Sequence, residues 1–299
     1  MRRDGPGRAS VAGAQDTDGR TFTPPHVSVC LPVYNGAPFV RQAISSALVQ
    51  TGVELELLVI DNASTDGTVG IVREFDDPRL RLLRNEVNVG AGRNWSRCLT
   101  EARGELVKIL CADDWLYAGS LARQAAVLDD PGNRGVVLVA AGRDVVDALG
   151  RRLLRRRWGP RGGRVAGPSA LRRIARRGTN LVGEPSAALF RRDAALRAGS
   201  FQAEARYTVD LEFWCRLLLL GDLYVIPDSL SAFRVSTDSW SARVAGEQTA
   251  DMRVLLRELA GDRRYGVSAL DARCGAACAA LNSELRRLLY RRLAGVQGQ

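Results

Sequence analysis

The feature that most constrains this chain is a rhythm between residues 27 and 141. Short runs rich in valine, leucine and isoleucine, VSVCLPV (27–33), ELELLVI (54–60), RLRLL (79–83), ELVKIL (105–110) and GVVLVAA (135–141), alternate with amphipathic stretches near 37–50, 66–75, 91–102 and 119–128. Brief apolar runs separated by segments of helical length predict an α/β fold, a mostly parallel Rossmann-like sheet flanked by helices. In such sheets ligands bind in the crevice beyond the carboxyl ends of the strands. The residues that directly follow each run are therefore the first candidates for chemistry.

Pro32, Tyr34 and Asn35 end the first run, and Asp61 ends the second, inside LLVIDNASTDGT. A carboxylate at Asp61 can accept the imide N–H of a uracil or thymine ring while Tyr34 covers the ring face; a turn role fits Asp61 equally well. Asp66 reads as a helix N-cap. NVGAGRN (88–94) leads into a helix but is not GxGxxG, which argues against a dinucleotide-dependent dehydrogenase. Arg93 and the amides of that helix start can face an anionic ligand, the alternative being a plain surface arginine. In ELVKILCADDWLYAGSL a strand runs directly into Asp113 and Asp114. Adjacent acids repel, and a hard divalent cation, Mn²⁺ or Mg²⁺, would relieve that repulsion while bridging phosphate oxygens. The competing reading is a solvated turn in which Asp114 caps the next helix.

Composition narrows the classes. With 46% hydrophobic and 25% charged residues the chain of 299 is of globular type. Its net charge of +10 is almost all arginine and favours a polyanionic partner, whether nucleotide, anionic lipid surface or nucleic acid. One histidine and six scattered cysteines, read as reduced thiols, leave no tetrahedral zinc set, so a metal here would be held by oxygen. No run approaches the roughly 20 apolar residues of a membrane span, and no apolar stretch follows the first arginines, so a cytoplasmic protein is expected.

Residues 1–25 are polar and Gly-rich and read as a disordered tail. A domain over 26–238 follows, with a nucleotide-binding half (26–142), a Gly- and Arg-rich linker or lid (151–168) and an acceptor-binding half (169–238). That second half reads as a basic helix at 168–177, a strand near 186–190, a helix at 209–220 and strands near LYVI and LSAFRV. Residues 239–299 read as a helical extension ending in SELRRLLYRRLAG, whose leucines recur at helical spacing opposite arginines. A weak peripheral contact with an anionic inner leaflet, a homodimer contact and core packing are the readings of that segment.

PVYNG, VIDNASTDGT, NVGAGRN and ILCADDW stand in the order and spacing of glycosyltransferase family 2, and the resemblance extends over about residues 27–235. It implies a GT-A fold and an inverting enzyme. Asp61 would contact the base, and Asp113 and Asp114 would match the acidic metal motif, Asp114 as the direct ligand. Many relatives carry a further aspartate where this chain has Cys111. YTVDLEFWCRLLLLGD (207–222) resembles the segment that holds the family's catalytic base; Val209-Asp210 stands in place of Glu-Asp, so Asp210 matches the base, with Glu212 in reserve. An Asp at its ordinary pKa of about 3.9 would be ionised at neutral pH. Asp210 could otherwise cap the helix, and Trp214 could pack in the core or wall the acceptor pocket. The same mapping puts Glu184 and Ser186 near the acceptor, and makes Arg234 a basic residue that approaches the diphosphate, although the histidine that often follows it is absent. The implied reaction moves a sugar from a UDP- or dTDP-sugar to a hydroxyl of a saccharide, lipid-linked or small-molecule acceptor. A binding-only relative is one alternative. A nucleic-acid-binding protein, suggested by charge alone, lacks the recognised sequence patterns, and no nucleic-acid partner is expected.

Overall fold

The computed structural model describes residues 25–202, 207–235 and 248–296, with side chains as far as Glu284, and a two-residue ladder pairing Ala14–Gln15 with Thr21–Phe22. The rest of the expected tail, residues 236–247 and the side chains of the basic C-terminal segment lie outside the described residues.

The first half follows the rhythm of its sequence. Strands β1 (Val27–Val33), β2 (Leu55–Asp61), β3 (Leu80–Arg84) and β4 (Leu106–Ile109) are parallel, in spatial order β4-β1-β2-β3. Helices α1 (Val40–Leu48), α2 (Thr68–Arg73) and α3 (Ala91–Glu101) connect them. Every residue of β1 and β2 is buried, the mark of strands covered on both faces. Side chains alternate across the sheet. Cys30, Leu58 and Ile60 join one core cluster, and Val29, Leu31, Leu57 and Val59 join the other. Helix α1 buries Val40, Ala43, Ile44 and Ala47, one stripe at helical spacing, against the second cluster.

Beyond β4 the sheet becomes mixed. A short strand β5 (Trp115–Leu116) and helix α4 (Ser120–Asp129) lead to β6 (Val136–Val146), and the strand order continues β8-β10-β6-β9-β4. Here β8 is Gly163–Val165, β9 is Ala188–Arg191 and β10 is Asp222–Arg234. Strand β9 runs antiparallel between β4 and β6, whereas β10 runs parallel to β6. The Rossmann-like sheet flanked by helices is thus parallel through its first half and mixed beyond β4.

The segment 151–168, expected as a linker or lid, carries two strands: β7 (Arg152–Arg156) pairs antiparallel with β6, and β8 pairs antiparallel with β10. Its Gly and Pro residues mark the connection between these two strands, and β8 opens on Gly163 at φ 125°. Similarly, LYVI and LSAFRV form one strand, β10, whose register slips around Pro227 opposite Gly142. A Cβ on Gly142 would meet the Pro227 carbonyl at 2.7 Å, so the bulge needs glycine there. Past the bulge β10 also pairs with β5, which delivers its last residue, Arg234, to the acidic loop after β4.

Helices α5 (Gly167–Arg177), α6 (Arg192–Ala198) and α7 (Val209–Leu217) complete this half, and α9 (Ala269–Val296) packs against both α5 and α8 (Gln248–Gly261) over the first core cluster. No helix among the described residues is long and apolar enough to cross a membrane.

Candidate active site

At the carboxyl edge of β1 and β2 two loops are laced together. Asn35 and Ala63 hold left-handed backbone conformations, φ 51° and 61°. The Asn35 amide donates to Ser64 Oγ at 2.9 Å, and its Oδ1 accepts from Thr65 N at 2.9 Å. Asp66 is no N-cap: α2 starts at Thr68, and the Asp66 carboxylate accepts from Ala37 N (3.1 Å) and Thr68 N (3.0 Å), tying one loop to the other. Asp61 is fully buried and accepts from Arg84 Nε at 3.1 Å and from Ser64 N at 3.2 Å. The turn role is realised in the Ser64 hydrogen bond, and the carboxylate is held in place at the carboxyl end of β2. Arg84 is a partner the motifs did not reveal, because β3 reaches Asp61 only through the register Asp61↔Arg84.

The asparagines of NVGAGRN brace this edge. Asn62 donates to Asn88 Oδ1 (2.8 Å) and accepts from Asn85 Nδ2 (2.7 Å) and Val89 N (3.0 Å), while Asn94 Nδ2 reaches the Ile60 carbonyl at 3.1 Å. Arg93 is exposed on the first turn of α3, and Tyr34 is half-exposed beyond β1. Pro32 differs from expectation: it lies inside β1, buried and paired with Ile60, and supports the edge from within the sheet.

Asp113 and Asp114 follow β4. Asp114 is buried; its Oδ2 accepts from Ser186 Oγ at 2.5 Å and its Oδ1 from Arg234 N at 3.0 Å. It does not cap α4, which begins after Gly119. Asp113 is half-buried. Burial pushes both carboxyls up, Asp114 further because Asp113 sits beside it. Beneath the pair lies a residue absent from the motif reading, Lys108, fully buried on β4, which donates to the carbonyls of Ser186 (3.0 Å) and Ala188 (2.8 Å) and which burial pushes down to about 7. Ser186 Oγ also accepts from Cys111 N at 3.1 Å.

Arg234 is no mobile arm. Its guanidinium lies 4.4 Å from the Phe39 ring centroid and 4.9 Å from that of Trp115, and donates to Asp113 O (3.0 Å), Ala148 O (2.6 Å) and Gln42 Oε1 (2.6 Å). So held, it is a cation packed against the acidic loop, where its charge favours the ionised form of Asp113.

On the opposite side, Asp210 opens α7. Its Oδ2 accepts from Asn180 Nδ2 and its Oδ1 from Leu211 N, both at 2.7 Å. Burial, then the charge of Glu184, push it up to about 7, so the fully ionised aspartate expected from the ordinary pKa is corrected to one that titrates near neutrality. Against the cost of burial, Arg143 holds Glu184 below its ordinary range through an ion pair. Glu212 is bound to Arg216 at 2.5 Å and 2.7 Å, which removes it as a reserve base. Trp214 is fully buried among Phe190 and Phe213 and donates to the Gly183 carbonyl at 3.3 Å; it backs the loop that carries Glu184 and walls no pocket.

The Cys111 thiol is pushed well up, first by burial and then by the charges of Asp114, Asp113 and Asp210, so it feels the acids of both sides. A cavity of about 460 Å³ lined by His26, Gly52, Ala122, Ala125 and Asp129 opens at the amino edge of the sheet, away from these acids.

The donor set suits a divalent cation only in part. Among the described residues no three His, Cys, Asp or Glu side chains converge on one point. Magnesium and manganese sites, however, commonly use one or two carboxylates and complete their shell with substrate phosphates and water. Asp113 is the open member of the pair, and each Asp114 oxygen keeps a second lone pair beyond its hydrogen bond.

Comparison with known proteins gives the family. An uncharacterized protein of Mycobacterium tuberculosis is 35% identical over 234 residues, 74% of this chain and 70% of that one. The crystal structure of S. aureus TarS in complex with UDP-GlcNAc superposes with a TM-score of 0.65 at 21% identity, over 78% of this chain and 66% of that one. The mannosyltransferase PcManGT from Pyrobaculum calidifontis, in complex with GDP-Man and Mn²⁺, superposes with a TM-score of 0.56 at 21% identity, over 91% of this chain and 81% of that one. Residues 28–197 match the model of glycosyl transferase family 2, and with the GT-A architecture around these carboxylates the chain belongs to that family.

Proposed function

We propose that this protein is an inverting glycosyltransferase that moves a sugar from a UDP- or dTDP-sugar to an acceptor hydroxyl, with Asp210 as the general base. The observation that carries the reading is Asp210 itself: a carboxylate anchored by Asn180 and Leu211 and pushed up to about 7, whose charge reaches Cys111 together with those of Asp113 and Asp114. A base is most effective when its pKa lies near the working pH. In this reading the acceptor hydroxyl loses its proton to Asp210 as its oxygen attacks the anomeric carbon, and the nucleoside diphosphate leaves from the opposite face.

Asp61, fixed by Arg84 and Ser64, would accept from the base, with Tyr34 over the ring and Arg93 near the phosphates. Asp113 and Asp114 would hold Mn²⁺ or Mg²⁺, which when bound neutralises charge on the departing diphosphate. Arg234 and Ser186 keep that pair in place, and Glu184 lies on the acceptor side. The fold neighbours crystallised with UDP-GlcNAc and with GDP-Man and Mn²⁺ support a nucleotide-sugar donor and a divalent cation. We favour a lipid-linked saccharide or surface glycan as acceptor, because the arginine-rich helix α5 ends three residues before Asn180, which holds Asp210.

The test is thermal stabilisation by UDP, dTDP and GDP, each with Mn²⁺ or with EDTA, repeated on Asp113→Asn, alongside a transfer assay. Stabilisation by one nucleotide that needs Mn²⁺ and is lost in the variant is the expected result. No stabilisation by any nucleotide would leave a relative without turnover.

A further inference from the structure

Helix α5 is divided cleanly. It buries Gly167, Ala170, Leu171, Ile174 and Ala175, and turns Arg172, Arg173, Arg176 and Arg177 to solvent. Those four lie on adjacent turns and form one arginine-only face. Arg173 ties it to the loop between β7 and β8: its Nη2 donates to the Trp158 carbonyl at 2.9 Å and its guanidinium lies 5.0 Å over the Trp158 ring. That loop adds exposed Arg157 and Arg161. The acids bordering the area are already engaged, Asp222 by Arg164 and Asp271 by Arg176. Arg157, Arg161, Arg172 and Arg177 have no acidic partner among the described residues.

The last turn of α5 leads directly to the candidate acceptor side. Arg177 is three residues from Asn180, whose amide holds Asp210, so chain geometry keeps their Cα atoms within about 11 Å. A basic last turn also suits the negative end of the helix dipole, but that accounts for Arg176 and Arg177 and not for Arg157, Arg161 or Arg172. Leu270, beside Asp271 at the border, is 67% exposed and offers an apolar contact next to the charges. Trp158, the aromatic ring that Arg173 touches, is 6% exposed and covered by that guanidinium, so it offers no open face on which nucleic-acid bases could stack.

We infer that the outer face of α5, with Arg157 and Arg161, binds an anionic membrane surface and holds the acceptor side of the site against it. The inference rests on the proposed transfer to a lipid-linked acceptor, for which such a face would bring Asp210 to the plane of the headgroups. Arginines near an anionic surface act additively and weaken with salt.

The test is flotation of the full chain with phosphatidylcholine vesicles that contain or lack phosphatidylglycerol, at low and high salt. One variant changes Arg157, Arg161, Arg172 and Arg177 to Gln; a control of equal charge changes Arg41, Arg73, Arg123 and Arg134 on the nucleotide-binding half. Wild type and control should float with phosphatidylglycerol at low salt only. The four-arginine variant, with unchanged Tm, should lose about fivefold in partition per charge and sink. Absence of wild-type flotation, or equal loss in the control, would overturn the inference. So would tighter retention of duplex DNA than of vesicles at matched salt, or displacement by inorganic phosphate at low concentration, which would assign the face to nucleic acid or to a free anion. Transfer to a soluble acceptor, measured without vesicles, reports separately on the proposed function: turnover without flotation removes only the membrane inference, and flotation without turnover removes only the enzymatic reading.

Discussion

The side-chain amide of Asn180 donates to Asp210 Oδ2 at 2.7 Å and also clasps Gly183, giving a hydrogen bond to its carbonyl and taking one from its N–H, each at 2.9 Å. One residue thus fixes the candidate base to the loop that presents Glu184. Gly183 takes φ 110° and a Cβ there would meet the Arg143 guanidinium at 2.9 Å, so the loop is packed directly on the Arg143–Glu184 pair.

A base that titrates at about 7 sets the direction of the pH profile. Below that value Asp210 is protonated and cannot accept the acceptor proton; above it the rate should reach a plateau. Asp210→Asn should lower kcat by about 10²–10⁴ while leaving nucleotide binding unchanged. Initial rates from pH 5.5 to 9 check both, and a profile flat through pH 7 would remove Asp210 from the role.

Glu184 raises the Asp210 pKa by its charge. Glu184→Gln removes that neighbouring negative charge, makes the aspartate easier to ionise, and should move the acid limb of kcat to lower pH. A limb that stays in place or rises would mean that Glu184 does not act on Asp210 electrostatically.

Two buried groups predict an unusual stability curve. The folded pKa of Asp210 is raised to about 7, so its ionisation destabilises the fold progressively as pH climbs from about 4 to 7. Lys108 is depressed to about 7, so its cost is complete below that value and is relieved as pH climbs toward about 10. Together they place a dip in stability near pH 7. Asp210→Asn should raise Tm at pH 8 and leave it nearly unchanged at pH 4, which scanning calorimetry can read.

How much of this was legible in the sequence depends on how local each signal is. The β1–β4 rhythm and the positions of Asp61, Asp113 and Asp210 rest on patterns a few residues long, and the parallel half of the sheet follows them. The strands within 151–168 were hidden by the turn residues of the loop between them, and β10 read as two strands because its bulge at Pro227 is licensed by Gly142, 85 residues earlier in the chain. Lys108 looked like a strand residue because its partners, the carbonyls of Ser186 and Ala188, arrive from β9 and the turn before it. Arg234 looked free because Phe39, Trp115 and Gln42 come from distant parts of the sequence. Pairing between remote segments, which decides the charge state and mobility of the site, leaves no local pattern to read.

The same is true of the contact between α5 and α9, where two backbones touch. A Cβ on Gly275 of α9 would stand 1.8 Å from the Ala175 carbonyl oxygen, and one on Gly178, which ends α5 at φ 52°, would stand 1.9 Å from the Gly275 carbonyl oxygen. Inside a helix Gly→Ala ordinarily stabilises by about 0.5–1 kcal/mol. At Gly275 it must instead force the helices apart, at a net cost of about 1–3 kcal/mol. Gly70→Ala in α2, where a Cβ meets nothing within 4 Å, is the matched comparison and should raise Tm. Because Gly178 lies two residues before Asn180, Gly275→Ala should also loosen the hold on Asp210 and lower kcat more than it raises KM for the donor. Equal Tm shifts for the two variants would mean that α9 does not press on α5, and a lowered Tm with unchanged kcat would confine the contact to stability.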